Sequence, residues 1–404
     1  MRAKRAALLA LIAAALGLVF SAYSTYDYAV QLDRQVHAVH CSFIPGASVS
    51  TDADNPCKAA LFSPFSAIFR ATYWGGVPIS LFGLGAFVFF VGFAVYVWVG
   101  DRRLPRSAYP TFLALTLGPL AASVVMFTIS VTQLHALCKL CVGTYVASIA
   151  LVAAAGLGLR ANRREATPAE SEGVGVGWST PVVALAALGA CAIAPALVYV
   201  DLLPDYRPLL EKCGKLAMPV DPHHGLIKIP TAHPVRAVTL FEDPLCPTCR
   251  VFHERLVDEG VFERLDVTMA MFPLDSDCNW MLDRSLHPGA CVLAKAVICG
   301  GTEKGRAVLE WAYDEQDVLR ELGKQGAAPL TAKISDRWGR DLATCVASKQ
   351  VSVQLNQHLH FAANNHVPVS TPQMFLGDQR VCDEDTDLGL KYTLAQLAPE
   401  VLRE

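Results

Sequence analysis

Charge is scarce in this 404-residue sequence: Asp, Glu, Lys and Arg make up 18% of it, against 53% hydrophobic residues. The 34 basic and 37 acidic side chains nearly cancel, and the net charge of −3 gives no reason to invoke nucleic acid. No phosphate-binding glycine loop, metal-ligand cluster or hydrolase triad is present, so no metal is expected. Neither Cys-x-x-Cys is followed by His, which argues against covalent haem. Cysteine, by contrast, is plentiful: 13 residues, a high count for a reducing compartment. The chain is too apolar for one soluble domain and too charged for an all-membrane protein. A membrane half and a soluble half are expected.

Met1 to Arg5 is basic and Ala6 to Ala22 apolar. That run is long for a secretory signal and no convincing small-residue cleavage site follows, so it reads as a first membrane helix with a cytoplasmic N-terminus. Val77 to Val99 is a second uncharged run, about 34 Å long as a helix. Pro110 to Leu134, Val142 to Leu159 and Pro181 to Val200 follow as further spans. Basic residues flank them in three clusters: Arg2, Lys4 and Arg5; Arg102, Arg103 and Arg106; Arg160, Arg163 and Arg164. Five spans put all three clusters on the cytoplasmic side, as the positive-inside bias requires, and dropping any one span breaks that agreement. The Cys41–Trp74 loop, Cys138, Cys141 and everything after Val200 then fall outside.

Cys138-Lys139-Leu140-Cys141 opens the fourth run. Two cysteines one helical turn apart can bridge, and a helix N-terminus favours the thiolate that attacks disulfides. Such a dithiol at the mouth of a membrane helix can meet aqueous thiols on one side and a lipid-soluble electron carrier on the other. The plainer reading is a pair of structural cysteines or half of a zinc site. Glu165 to Gly177 has the composition of a flexible linker, and Asp201 to about Gly225, with four prolines, that of a stiffer one. From Leu226 the pattern is soluble α/β. Strands are expected at Leu226–Ile229, Val235–Phe241 and Leu265–Phe272, with a helix from Arg250 to Glu259. A long helical segment from about Pro288 to Asn364 is expected next. Thr371 to Gly377 should form a last strand and turn, with Arg380 to Cys382 as its hairpin partner.

A strand, then Cys246-Pro247-Thr248-Cys249, a helix, and much later Thr371-Pro372 at the head of a strand resembles the thioredoxin fold, in its DsbA-type branch with a helical insertion. Phe272-Pro-Leu-Asp-Ser-Asp-Cys278 adds to the likeness. The resemblance implies that Cys246 is the exposed nucleophile, Cys249 the buried resolving thiol, and Pro372 a cis proline beside them, with Thr371 contacting whatever binds Cys246. The first four spans resemble the vitamin K epoxide reductase family, through Cys41, Cys57, Ser63, Gly76-Val77-Pro78-Ile79-Ser80 and Cys138-Lys-Leu-Cys141-Val-Gly-Thr144-Tyr145. The segment between Cys41 and Cys57, which contains Thr51-Asp-Ala-Asp54, is longer than in familiar members. The resemblance implies a four-helix membrane domain (1–160) with Cys41/Cys57 as a loop pair, Cys138/Cys141 as the quinone-proximal pair and Tyr145 facing a quinone. An interfacial aromatic belt would also account for Tyr145.

The remaining order follows: a cytoplasmic linker (161–177), a fifth transmembrane helix (178–200), an outer linker (201–225) and the thioredoxin-like domain (226–404). Together the parts imply a membrane enzyme of the bacterial inner membrane, its soluble domain periplasmic. It would form disulfides in exported proteins with reduced thiols, passing electrons from Cys246/Cys249 through Cys41/Cys57 to Cys138/Cys141. A quinone, ubiquinone or menaquinone, is the implied final acceptor. A disulfide reductase or isomerase, a transmembrane electron importer, and a membrane-tethered chaperone or thiol sensor are the alternatives. Cys213, Cys278, Cys291, Cys299, Cys345 and Cys382 allow fifteen pairings, and structural bridges are the expected use. Cys191 reads as a packing residue. His135 could steady a thiolate, or be an interfacial histidine with no role. Glu242 could tune the second motif, but reads more simply as a solvated turn carboxylate.

Overall fold

The computed structural model describes residues 2–35, 37–44, 49–50, 55–100, 104–134, 136–165 and 179–403. His135, Thr51 to Asp54, Arg102, Arg103 and linker residues 166–177 lie outside these. The chain forms two compact units, Met1–Pro204 and Asp205–Glu404.

The first unit runs α1 (Arg2–Val30), β1 (Val39–His40), β2 (Val49–Ser50), α2 (Pro56–Phe62), β3 (Ala67–Ile68), β4 (Val77–Pro78), α3 (Ile79–Gly100), α4 (Ala108–Thr132), α5 (Lys139–Glu165) and α6 (Ser179–Asp201). Among the described residues 5 helices, namely α1, α3, α4, α5 and α6, are long and apolar enough to cross a membrane. This is a multi-pass membrane protein. Helix α1 extends beyond the expected Ala6–Ala22 run at both ends, and its rise of about 1.5 Å per residue makes it longer than a hydrocarbon core of about 30 Å.

Small side chains set the packing. Ala3, Ala7, Ala10, Ala14 and Gly17 recur every three or four residues on the buried side of α1, which packs against α3 and α5. In lipid, where apolar side chains gain nothing from leaving the solvent, close backbone approach is what holds helices together. A Cβ at Gly17 would fall 2.2 Å from the Phe87 ring of α3. One at Gly85 of α3 would fall 2.0 Å from the Cys191 carbonyl oxygen, so α6 lies directly on that face. Phe93 of α3 stacks on Phe112 of α4 with centroids 5.0 Å apart.

The second unit contains β5 (Ile227–Ile229), β6 (Arg236–Glu242), α7 (Pro247–Asp258), β7 (Leu265–Met271), α8 (Ala290–Asp314), α9 (Gln316–Lys324), α10 (Ala327–Trp338), α11 (Arg340–Val346), α12 (Lys349–Asn364), β8 (Gln373–Leu376), β9 (Gln379–Arg380) and α13 (Leu390–Leu397). Its mixed sheet has 5 strands in the order β5-β7-β6-β8-β9. Only β6 and β7 are parallel, in the register Arg236↔Leu265 to Glu242↔Met271; β8 runs antiparallel to β6. Val238, Leu240, Leu265, Val267 and Met269 are almost wholly buried, each contributing about 1.5–3 kcal/mol.

The helical segment expected from about Pro288 to Asn364 is the series α8 to α12: Gly301 (φ 56°) kinks α8, and Gly326 (φ 111°) and Gly339 (φ 91°) separate α9 from α10 and α10 from α11. One expectation needs correction here. The residues from Asp205 to Gly225, expected as part of a linker, are built into the second unit. Tyr206, Leu210 and Leu216 are buried, Leu216 N–H donates to the Asp378 carbonyl (2.8 Å), and Cys213 is bridged to Cys382. His358 completes the anchorage: its Nδ1 accepts from Met271 N–H (2.9 Å) and its Nε2 donates to the Gly225 carbonyl (2.8 Å). Burial holds that imidazole neutral, its pKa pushed down to about 4.

Candidate functional site

In the first unit Cys41 and Cys57 form a disulfide with Cα atoms 5.6 Å apart. Cys57 is the second residue of α2, where the Asn55 side chain accepts its backbone N–H (2.9 Å) and Pro56 starts the helix. That helix packs against α5. Ser63 ends it, its hydroxyl turned back to the Ala60 carbonyl (2.9 Å). Cys41 directly follows His40, and His40 is gripped by Asp27 near the end of α1. The Asp27 carboxylate accepts the His40 backbone N–H (2.8 Å) and lies 2.5 Å from its Nδ1, with the Tyr23 ring edge-on at 4.9 Å. Asp27 is buried. A lone acid at the end of an apolar run was the sequence signal for this anchor.

Cys138 and Cys141 are free thiols at the start of α5. Cys138 occupies the capping position: its carbonyl accepts Val142 N–H (3.0 Å), and its Sγ lies 3.3 Å from Cys141 N. Cys138 is buried and Cys141 partly exposed. One turn further, half-buried Tyr145 faces α4, with its phenol on Ser130 and its ring edge-on to Phe127 at 6.1 Å.

In the second unit Cys246 is the N-cap residue of α7 and, unlike the exposed nucleophile expected, is buried under the Thr371–Pro372 turn; Cys249, also buried, lies in the first turn of the helix. Cys246 Sγ is 2.8 Å from Thr248 Oγ1 and 3.5 Å from the carbonyl oxygen of Thr371, whose bond to Pro372 is cis. The cis proline and the two cysteines thus meet across the end of the sheet. Gln316 of α9 donates to the carbonyls of Pro244 and Cys246, both at 3.1 Å, fixing the turn from above. A hydrogen bond from Cys249, with others from Thr248 and Thr371, lowers the Cys246 pKa to about 6 against the opposing effects of burial and Asp243. Cys249 goes the other way: burial first, then the neighbouring Cys246, push its thiol well above the ordinary range. One sulfur is ready to attack or leave as a thiolate, and the other holds its proton.

Glu242 requires a correction. It ends β6 as a fully buried carboxyl, not a solvated turn residue, because the parallel β6–β7 pairing carries it under α8. Tyr313 of α8 donates to its Oε2 (2.8 Å), and Cys249 lies beside it. Burial raises its pKa to about 8, so it is protonated near neutrality. Tyr313 carried no sequence signal, being 71 residues away from Glu242.

The other soluble-side cysteines pair as Cys213–Cys382, Cys278–Cys291 and Cys299–Cys345. Cys191 is free in α6.

Residues 8–155 match the model of the Vitamin K epoxide reductase family. The match spans α1 to most of α5, including Cys41, Cys57, Cys138 and Cys141. The matched stretch, less than half of the chain, is similar to that family. No curated protein and no solved structure matches this chain.

Proposed function

We propose that this protein is a disulfide-forming enzyme of the bacterial inner membrane. Its second unit is a thioredoxin-fold domain of DsbA type on the periplasmic side, and its first unit is the membrane oxidase of that domain. The observation that carries the reading is the start of α5, where a buried and a partly exposed thiol sit one turn apart at the mouth of a membrane helix. The opposed thiol acidities at Cys246 and Cys249 support the other end of the relay.

Each hop is the attack of a thiolate on a disulfide. A thiolate of an exported protein attacks Cys246, the Cys246–Cys249 bond breaks, and Cys249 leaves with the electron pair. Cys249 then needs a proton, and neutral Glu242 beside it is placed to give one. The second substrate thiolate displaces Cys246, and the substrate departs oxidised. The reduced Cys246/Cys249 pair is reoxidised by Cys41–Cys57, and the loop pair in turn by Cys138–Cys141. Thr371, whose carbonyl oxygen lies 3.5 Å from Cys246 Sγ, stands where the chain bound to Cys246 must pass.

Cys141, Tyr145, Phe127 and Ser130 fit a quinone: one partly exposed sulfur, two aromatic rings and a hydroxyl, on helices whose neighbouring Val146, Ile149 and Val131 are exposed and apolar. A bound quinone supplies a two-electron, two-proton sink. Quinones are generally more oxidising than protein disulfides, the most oxidising of which lie near about −120 mV, so net flow runs away from substrate thiols. The test mixes reduced protein with oxidised ubiquinone or menaquinone analogue without oxygen. Stoichiometric quinol formation, abolished in Cys141→Ala, is the expected result. No quinol, together with reshuffling of a scrambled substrate, identifies an isomerase instead.

A further inference from the structure

The turn into Cys246 holds an acid–base pair that no step above uses. Asp243 is fully buried; its carboxylate accepts Leu245 N–H (2.8 Å) and Leu274 N–H (2.8 Å) and lies 2.7 Å from His287 Nδ1. Cys246 N–H donates to the Asp243 carbonyl (3.1 Å), which makes the acid part of the same turn as the attacking sulfur. His287 arrives from elsewhere in the chain. Its backbone N–H bonds to the Leu274 carbonyl (3.0 Å), and Pro288 and Gly289 lead from it into α8. Its side chain is 13% exposed. With Nδ1 facing the carboxylate, Nε2 is left without a protein partner among the described residues, and protons can enter and leave there.

We infer that His287, held by Asp243, is a positioning residue for exchange at Cys246. When charged, it cancels the repulsion between the Asp243 carboxylate and the Cys246 thiolate; when neutral, it leaves that repulsion in force. Asp243 from the β6–α7 turn touches the imidazole, and the charges of Cys246 at the start of α7 and Arg320 of α9 act on it. Burial alone would keep the ring neutral. The hydrogen bond and charge of Asp243, with the charge of Cys246, outweigh burial and the repulsion of Arg320, and the imidazole pKa lies above its ordinary value. Asp243 itself raises the Cys246 pKa. The two titrations are therefore linked, and protonating His287 makes Cys246 a better leaving group.

The step concerned is the last one at this site. The second substrate thiolate attacks the substrate sulfur of the mixed disulfide. A new substrate S–S bond forms, the bond to Cys246 breaks, and Cys246 leaves with the electron pair while the imidazolium offsets the Asp243 charge. The substrate has lost two electrons, and the Cys246/Cys249 pair has gained them. The inference rests on the proposed function only for the direction of this step.

The experiment follows carboxamidomethylation of Cys246 against pH in the reduced full-length protein, read by peptide mass spectrometry so that the other thiols do not interfere. The wild-type rate should rise with a midpoint at about 6. His287→Gln keeps a donor for Asp243 but no charge. Its midpoint should move up by about one unit, which slows alkylation about tenfold below the midpoint. His287→Lys should restore most of the rate. A folded His287→Gln protein with an unchanged midpoint overturns the inference. If that variant does not fold, the wild type still decides: the His287 imidazole, followed by NMR, should titrate at higher pH in the reduced than in the oxidised protein, and equal midpoints overturn the inference. Neither readout uses quinone or depends on direction, so failure of quinol formation leaves the inference standing, and an unchanged midpoint leaves the proposed function standing.

Discussion

At Glu242 a strand carries a carboxyl into a site without water, and the consequence is a dependence of stability on pH. In the unfolded chain this side chain titrates near its ordinary value of about 4.3, and in the folded protein near 8. Between those values the folded state holds a proton that the unfolded state has released. Stability contributed below the lower value is therefore lost as pH rises, and the loss is complete only above about 8. Gln cannot ionise, so Glu242→Gln should be stabilised relative to the wild type by an amount that grows from pH 5 to pH 8 and then levels off. Thermal unfolding midpoints of the reduced proteins at a series of pH values test this. Parallel curves would mean that Glu242 is already ionised in the fold. The same variant should resolve Cys249 more slowly, since the local proton donor is gone. A tuning role for Glu242 was one reading of the sequence, but its burial was not legible there. A glutamate after an apolar strand is normally at the water's edge, and only the partner strand and Tyr313 of α8 close over it.

Among the elements, those with a strong local pattern were legible and those set by distant contacts were not. The strand Val235–Phe241 and the Cys-Pro-Thr-Cys helix start fall within a few residues of β6 and α7, because an apolar run and a Pro at the first helical position are local signals. The pairing of the six soluble-side cysteines was not legible, since spacing alone does not decide among fifteen schemes. The bridges now found close loops of very different size, with sequence separations of 169, 46 and 13 for Cys213–Cys382, Cys299–Cys345 and Cys278–Cys291. If a bridge acts mainly by restricting the unfolded chain, removing them in that order costs about 5, 4 and 3 kcal/mol. Paired Cys→Ala variants, unfolded in urea, should lose stability in that sequence. Equal losses for the longest and shortest loops would show that native contacts, not chain entropy, set the contribution. The long bridge also fixes residues 205–225 beside β9, which is why a stretch with three prolines is structure here and not a tether.

At the scale of the whole chain, the number of spans decides where electrons can go. In the proposed topology, with five spans and Arg2, Lys4 and Arg5 in the cytoplasm, Cys41, Cys57, Cys138, Cys141, Cys246 and Cys249 would all fall outside. Reporter fusions at Arg103 and Arg163 should then report cytoplasm, and fusions at Asp54 and Cys246 the outside. Cytoplasmic activity from a fusion at Gly225 would remove α6 as a span and, with it, the relay. Under this topology the remaining cysteine at membrane depth is Cys191. It lies in α6, where its carbonyl packs against Gly85 of α3, and it has no second cysteine in its helix with which to form a disulfide. A carrier of reducing power from the cytoplasm needs a thiol on that route; an enzyme that hands electrons to a carrier in the bilayer does not. Cys191→Ala should therefore leave substrate oxidation and quinol formation at wild-type rates, while Cys141→Ala loses quinol formation. If Cys191→Ala instead abolishes turnover without unfolding α6, electrons do cross through that helix, and the protein imports reducing power.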